Sequence, residues 1–246
     1  MPKIYKCGGV IRDRFLGIQS KDIDFTFVLD DLNKSVDAGF EEMENWMLSH
    51  GFTIFLSTPD CFTIRGKFPK DHKNAGLVAD FVMARKEVGY FPGTRRPILE
   101  LGTIEDDLLR RDFTLNALAE DEDGEIIDLF DGLADLKKGL LRTPLPAKLT
   151  MMDDPLRILR SWRFSITKGF SIHPDILETL KDKDIIDKLF TVVSAQRIRE
   201  ELFKMFKFDT IKTLELIQSM ELLSPGLTKK LFSDSGLWLL PTFKEK

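Results

Sequence analysis

Two short stretches restrict the fold of this chain more than any others: Cys7-Gly8-Gly9-Val10-Ile11-Arg12-Asp13 and, after a gap, Lys21-Asp22-Ile23-Asp24-Phe25. The glycine pair permits a sharp turn from a strand into a short helix. The second stretch reads as a strand, and alternation puts Asp22 and Asp24 on one face while Ile23 and Phe25 enter a core. Neighbouring carboxylates repel unless a cation sits between them. An all-oxygen site suits a hard divalent ion, Mg²⁺ above all. The Gly8-Gly9 turn lets backbone N–H groups approach an anion where the helix begins. A metal beside a phosphate cradle points to phosphoryl or nucleotidyl transfer. An Asp-x-Asp on its own is more often a surface pair at a strand end, so the motif needs support from elsewhere.

The 246 residues are enough for one large domain or two small ones with a real core. A formal charge of −4 argues against coating nucleic acid through bulk charge, but leaves room for a local basic patch that grips an RNA end. Cys7 and Cys61, the two cysteines, lie in no paired metal-ligand spacing, which disfavours structural zinc and fits a reducing compartment. Met1-Pro2-Lys3-Ile4-Tyr5 opens no apolar signal region, and no apolar run reaches membrane-spanning length. A soluble, cytoplasmic protein without a membrane partner is expected.

The hydrophobic pattern predicts strands at 3–6, 22–29, 52–56, 62–65 and 77–83, with helices at 10–16 and 31–50. Residues 66–76 read as a polar hairpin loop, and 89–97, with Gly93, Arg95 and Arg96, as a mobile irregular segment. A helix is expected at 105–119, a short strand at 126–129, and a turn or short helix around Gly132. Beyond a proline-bearing linker at 143–150 the pattern is helical: 153–167, 174–181, 194–206 and 209–220, with a weakly ordered tail at 237–246. The fold class is therefore α+β, with an α/β head at 1–145 and a helical remainder at 146–246.

Three constellations carry chemistry. Asp80, in Val78-Ala79-Asp80-Phe81-Val82, is a third strand carboxylate that could complete the metal shell or accept a proton. In Arg110-Arg111-Asp112-Phe113-Thr114-Leu115-Asn116, a helix would place Asp112 and Asn116 four residues apart on one face, where they can share a ribose edge. Arg111 suits a phosphate through its forked guanidinium. In Asp154-Pro155-Leu156-Arg157-Ile158-Leu159-Arg160-Ser161-Trp162-Arg163, the three arginines share a broad helix face. Asp154 only accepts hydrogen bonds and Arg157 only donates them. Cytosine and adenine each offer an amino donor beside a ring-nitrogen acceptor, whereas uracil and guanine put a carbonyl where the amino group would be. Such mismatches cost on the order of 1–3 kcal/mol when buried, so the pair would accept C and A and reject U and G. Read singly, the Arg111–Asn116 stretch and the arginine stripe are each more often solvated helix surface.

In this order and spacing the motifs resemble the class II tRNA nucleotidyltransferase and bacterial poly(A) polymerase family of the polymerase-β superfamily. The matching residues are Gly8-Gly9-x-x-Arg12-Asp13 with Asp22-x-Asp24, Arg110-Arg111-Asp112-Phe113-Thr114-Leu115-Asn116-Ala117, Asp128-Leu129-Phe130-Asp131-Gly132, Asp154-Pro155-Leu156-Arg157-Ile158-Leu159-Arg160 and Gln196-Arg197-Ile198-Arg199-Glu200-Glu201-Leu202. They cover residues 3–205.

The resemblance implies a polymerase-β-like head followed by an all-helical neck. It implies two Mg²⁺ ions, with metal binding by Asp22 and Asp24, and nucleotide contacts by Gly8, Gly9, Arg12 and Arg111. Asp112 and Asn116 would address the ribose. Asp154 and Arg157 would read the base, with Arg160 and Arg163 supporting the nucleotide. The implied reaction is attack of an RNA 3′ hydroxyl on the α-phosphate of CTP or ATP, releasing pyrophosphate.

Three departures stand out. Asp153 and Gln196 replace glutamates of the family, and the chain ends soon after the neck. It would hold its RNA with less protein, use an oligomer or protein partner, or take another substrate. The expected activity is addition of C and A to tRNA 3′ ends, CCA addition or repair. Its rivals are poly(A) polymerisation, CC-only or A-only addition, and a non-catalytic RNA-binding module. Ile64-Arg65-Gly66-Lys67-Phe68 has one basic residue between Gly66 and Phe68 where polyadenylating members tend to have two, and decides little.

Overall fold

Alternating apolar and polar residues in the first half of the chain build a seven-stranded mixed sheet. The structure is a computed structural model that describes residues 1–20, 23–91, 93–94 and 97–234. In chain order, the first unit comprises β1 (Lys3–Cys7), α1 (Gly9–Phe15), β2 (Asp24–Val28), α2 (Val36–Ser49), β3 (Thr53–Thr58), β4 (Thr63–Lys67) and β5 (Val78–Met83). It continues with β6 (Arg85–Tyr90), β7 (Pro97–Leu101), α3 (Ile104–Leu109), β8 (Leu118–Glu120), β9 (Ile126–Asp128) and α4 (Gly132–Lys138). The sheet order is β3-β4-β5-β2-β1-β8-β9, with β2 and β5 parallel.

One sheet face carries the main core, where Phe25, Phe27, Ile64 and Phe81 meet Phe40, Met43 and Met47 of α2. Phe25 stacks on Phe81 at 5.3 Å and meets the edge of Phe68 at 5.2 Å. Each such side chain contributes roughly 1.5–3 kcal/mol through burial. Cys7, Ala117 and Ala119, with Ile104 and Leu108 of α3, form a second, smaller cluster.

The second compact unit begins at Lys137. It holds β10 (Leu140–Leu141), α5 (Ala147–Asp153), α6 (Leu156–Lys168), β11 (Ser171–Ile172), α7 (Pro174–Glu178), α8 (Lys183–Thr191), α9 (Ala195–Phe208) and α10 (Thr210–Glu221). Apart from the two-residue parallel pair β10–β11, its described elements are helical. The buried stripe Leu156, Leu159 and Trp162 of α6 has its counterpart in Ile198, Leu202 and Met205 of α9, and the two helices pack together. The α+β class holds.

Several elements differ from expectation, and α8 lies where no helix was expected. The helix expected at 31–50 starts at Val36, because Ser35 caps it by accepting the Ala38 amide and Asp31 bonds the Asn33 amide outside it. The helix expected at 105–119 ends at Leu109. Phe113 is extended, Thr114–Asn116 is a single 3-10 turn, and the chain returns to the sheet as β8. Gly89 and Pro97, expected in an irregular segment, belong to the antiparallel β6–β7 ribbon. Its register shifts between Glu87 and Gly89, and Pro97 sits at the ribbon's end, where its missing N–H is tolerated. The helix expected at 153–167 starts only at Leu156, because a residue before proline avoids the α region and Asp154 is extended (φ −137°, ψ 94°), while Asp153 ends α5, which opens at Ala147 inside the expected linker. Asp22, Arg95, Arg96 and the tail at 237–246 lie outside the described residues.

Candidate active site

Asp24 opens β2 and is the register partner of Asp80 across the parallel β2–β5 pair, so both carboxylates sit on one sheet face. Arg65 on β4 opposes Asp80 from the other side and grips it with both forks, Nε to Oδ1 at 2.7 Å and Nη2 to Oδ2 at 2.6 Å. Asp24 is exposed and Asp80 half-buried. Carboxylate oxygens are the donors a hard divalent cation takes, so the residues present fit Mg²⁺. Among the described residues, no three His, Cys, Asp or Glu side chains converge as a ready metal cage.

The glycine turn lies beside this pair, since Cys7, which precedes it, faces Asp24 across β1–β2. Gly8 adopts φ +75°, which favours glycine. Its N–H is committed to the Leu118 carbonyl at 3.0 Å, and its carbonyl accepts the Ile11 and Arg12 amides. Gly8 therefore shapes the turn.

Arg12 folds back into a network in which every member is less than a tenth exposed. Its Nε and Nη2 donate to Asp13 Oδ1 (3.0 and 2.8 Å), and its Nη1 donates to Asn116 Oδ1 at 2.6 Å. Asn116 Nδ2 donates to Asp112 Oδ1 at 2.9 Å, and the same oxygen accepts the Phe113 amide. Asp112 and Asn116 thus meet as expected, but through an extended residue and a 3-10 turn, not across a helix face.

That turn is held from below by the Asp128–Gly132 motif. Both Asp128 oxygens cap α4 through the Gly132 and Leu133 amides, while Thr114 Oγ1 donates to buried Asp135 at 2.6 Å. A side chain at position 132 would meet the Thr114 carbonyl at 2.3 Å, so only glycine allows this contact.

Arg111 does not project into solvent. Its Nη2 donates to Asp107 Oδ2 at 2.9 Å and to Thr26 Oγ1 at 3.4 Å, and its Nη1 to the Asn116 carbonyl at 3.3 Å. Asp107 has no exposed surface. Burial pushes its pKa up, but Arg110 and Arg111 outweigh that and hold it at about 2. Asp107 in turn raises the Arg111 pKa against the opposing effect of burial. Burial pushes the neighbouring Cys7 thiol up to about 11.

In the second unit, Asp154 Oδ1 accepts the Leu156 amide at 3.1 Å where α6 begins, and Arg157 Nη1 donates to the Thr150 carbonyl at 3.3 Å. The two base-reading candidates therefore share the α5–α6 junction. Arg160 is half-buried one turn on. Arg163 Nε donates to buried Glu201 at 2.5 Å, so this arginine ties α6 to α9. Gln196 bonds Glu200 at 3.0 Å on the exposed start of α9.

Three residues of this arrangement were not singled out from sequence: Arg65, Asp107 and Thr26. The signal for Asp107 was its spacing of three and four residues from Arg110 and Arg111, which ordinarily marks helix-surface pairs.

A mixed sheet with carboxylates in register beside a glycine turn is the frame of a nucleotidyltransferase head. The chain belongs to the Poly A polymerase head domain family, whose model matches residues 4–142. The mitochondrial CCA tRNA nucleotidyltransferase of Saccharomyces cerevisiae is 36% identical over 226 residues, covering 87% of this chain and 40% of the yeast protein. The Thermotoga maritima CCA-adding enzyme complexed with tRNA is similar in structure, with a TM-score of 0.65 and 26% identity over 89% of this chain and 47% of that one. A tRNA nucleotidyltransferase complexed with a primer tRNA and an incoming ATP analog matches with a TM-score of 0.66 and 28% identity, over 90% of this chain and 58% of that one. The chain thus spans well under two thirds of the length of these relatives. No helix among the described residues is long and apolar enough to cross a membrane.

Proposed function

We propose that this protein adds C and A, from CTP and ATP, to the 3′ end of tRNA without a nucleic-acid template. The RNA 3′ hydroxyl attacks the α-phosphate and pyrophosphate leaves. The observation that carries this reading is the juxtaposition of Asp24 and Asp80 with the Gly8 turn and the Arg12–Asn116–Asp112 network. The names of the relatives support tRNA as the acceptor.

Asp22 and Asp24 would hold Mg²⁺, which when bound supplies positive charge for the attacking and leaving oxygens. The other tasks fall to the chain itself. Gly9 brings backbone close to the phosphates, and Arg12 adds charge beside them. Asp112 and Asn116, locked to each other, offer a fixed edge to the ribose hydroxyls, so little ordering is required on binding. Asp154 accepts from the amino group of C or A while Arg157 donates to the ring nitrogen, and Arg160 and Arg163 support that reading pair. In domain terms, residues 1–145 carry the chemistry and 146–246 read the base. An oligomer or protein partner would add to the RNA grip, in a cytoplasmic setting.

The test is incubation with labelled tRNA ending before CCA or after CC, and with an unrelated RNA, using each nucleotide singly and all together. Addition that stops after C, C and A on tRNA is expected. Long A tails on every RNA would replace this reading with poly(A) polymerisation. Absence of any incorporation alongside retained RNA binding would replace it with a non-catalytic RNA-binding module.

A further inference from the structure

Asp107 cannot touch a substrate, because none of its surface is exposed, yet it bonds Thr26 on the strand of Asp24 and Arg111 beside the glycine turn. A carboxylate has about four acceptor sites, and those of Asp107 are all used. Oδ1 takes Arg110 Nε at 3.0 Å and Nη2 at 2.5 Å, while Oδ2 takes Arg111 Nη2 at 2.9 Å and Thr26 Oγ1 at 3.1 Å. Thr26 stands two residues beyond Asp24 on β2, on the same face.

Arg111, fixed in this way, occupies the space a side chain would need at position 8. A Cβ built there would fall 2.5 Å from Arg111 Nη1. The guanidinium therefore lies directly against the backbone of the glycine turn, with 19% of its side chain exposed. Its other Nη1 contact, to the Asn116 carbonyl, reaches the residue that pairs Arg12 with Asp112.

We propose that Asp107 is a positioning residue for the incoming nucleotide: it clamps Arg111 behind the Gly8 turn, so that Arg111 acts on the phosphates by setting the turn's shape and charge. This rests on the proposed nucleotidyl transfer. The simpler alternative is a buried ion pair that only attaches α3 to the sheet. The two differ in what a weakened clamp disturbs. A structural tie lowers the amount of folded protein, whereas a positioning clamp lowers nucleotide affinity in protein that is folded.

Thr26→Val removes one donor to Asp107 while keeping a β-branched residue of similar size in the strand. Asp107→Asn removes the charge. Nucleotide KM and kcat, with CTP binding measured by calorimetry in the absence of metal, form the test. Thr26→Val should raise KM and weaken CTP binding by roughly tenfold, the order of one lost charge-assisted hydrogen bond, with kcat nearly unchanged. Asp107→Asn, where it folds, should do more. In a cycle with Arg111→Lys, the Thr26→Val effect should largely vanish, because both changes act through one guanidinium. Unchanged KM and CTP affinity in folded Thr26→Val, or additive losses in the cycle, would overturn the proposal while leaving the function intact. A wild-type protein that neither binds CTP nor incorporates nucleotide would overturn the function first and this inference with it.

Discussion

Asp24 and Asp80 face one another directly across the parallel β2–β5 pair, and Arg65 holds both oxygens of Asp80. In the proposed metal site Arg65 would compete with a cation for one of the two adjacent carboxylates. Its side chain is 53% exposed, so solvent screening limits the pair to about 1 kcal/mol or less. Arg65→Met should leave thermal stability nearly unchanged and lower the Mg²⁺ concentration for half-maximal incorporation, because Asp80 then adds its charge to the site. An unchanged metal requirement would remove Asp80 from the catalytic group.

Asp24 opens its strand with an exposed side chain. Asp24→Asn should cost within about 0.5 kcal/mol of stability, as exposed substitutions do. Incorporation should fall at least about a hundredfold, since a neutral amide cannot replace a metal-binding carboxylate. Circular dichroism and primer extension on the same preparation check both halves. Activity near wild type would exclude Asp24 from metal binding.

Acid should loosen the head through Asp107. Its folded pKa, about 2, lies below the ordinary carboxylate value of 3.8. The stabilisation is therefore complete above the unfolded pKa and is lost as pH falls from about 4 towards 2. The shift is worth about 2 kcal/mol for this group. Urea titrations between pH 6 and pH 2.5 should show wild type losing most of this increment and Asp107→Asn lacking it. A parallel decline in both proteins would assign the acid sensitivity to other carboxylates.

Strands β1 to β5, the glycine turn and helices α6, α9 and α10 were legible in the sequence, because each has a clear period or capping residue, whereas β6, β7, β8 and α8 were not assigned. Residues 105–119 were misread as one helix for a specific reason. Leu108, Leu115 and Ala119 fit a helical period, but side-chain bonds from Asp112 to the Phe113 amide and to Asn116 offset the helix and let the chain rejoin the sheet. The proximity of Asp112 and Asn116 survived the error, since two routes bring them together. Arg65, Thr26 and Asp107 escaped notice because their partners are fixed by strand register or by burial. Spacing along the chain encodes neither for a pair such as Thr26 and Asp107, 81 residues apart.

Asn116 is the residue on which the buried network turns. Its carbonyl oxygen accepts from Arg12 and its amide donates to Asp112, an orientation that only this assignment of oxygen and nitrogen satisfies. Asn116→Ala leaves Arg12 Nη1 and one site on Asp112 without these partners, at less than a tenth exposure. Each lost hydrogen bond to a buried charged group costs about 1.5–3 kcal/mol, so the melting temperature should fall by several degrees. Asn116→Asp separates the two contacts. The new carboxylate keeps the Arg12 bond, but turns its second oxygen on Asp112 Oδ1, where no hydrogen remains to share. Two carboxylates so placed hold one proton between them, which raises the pair's apparent pKa. Asn116→Asp should therefore gain stability as pH falls from 8 to 5, opposite in sign to the acid loss set by Asp107. Melting curves across that range decide it, and a variant whose stability is flat or falls on acidification would show that Asp112 and Asn116 are not locked together in solution.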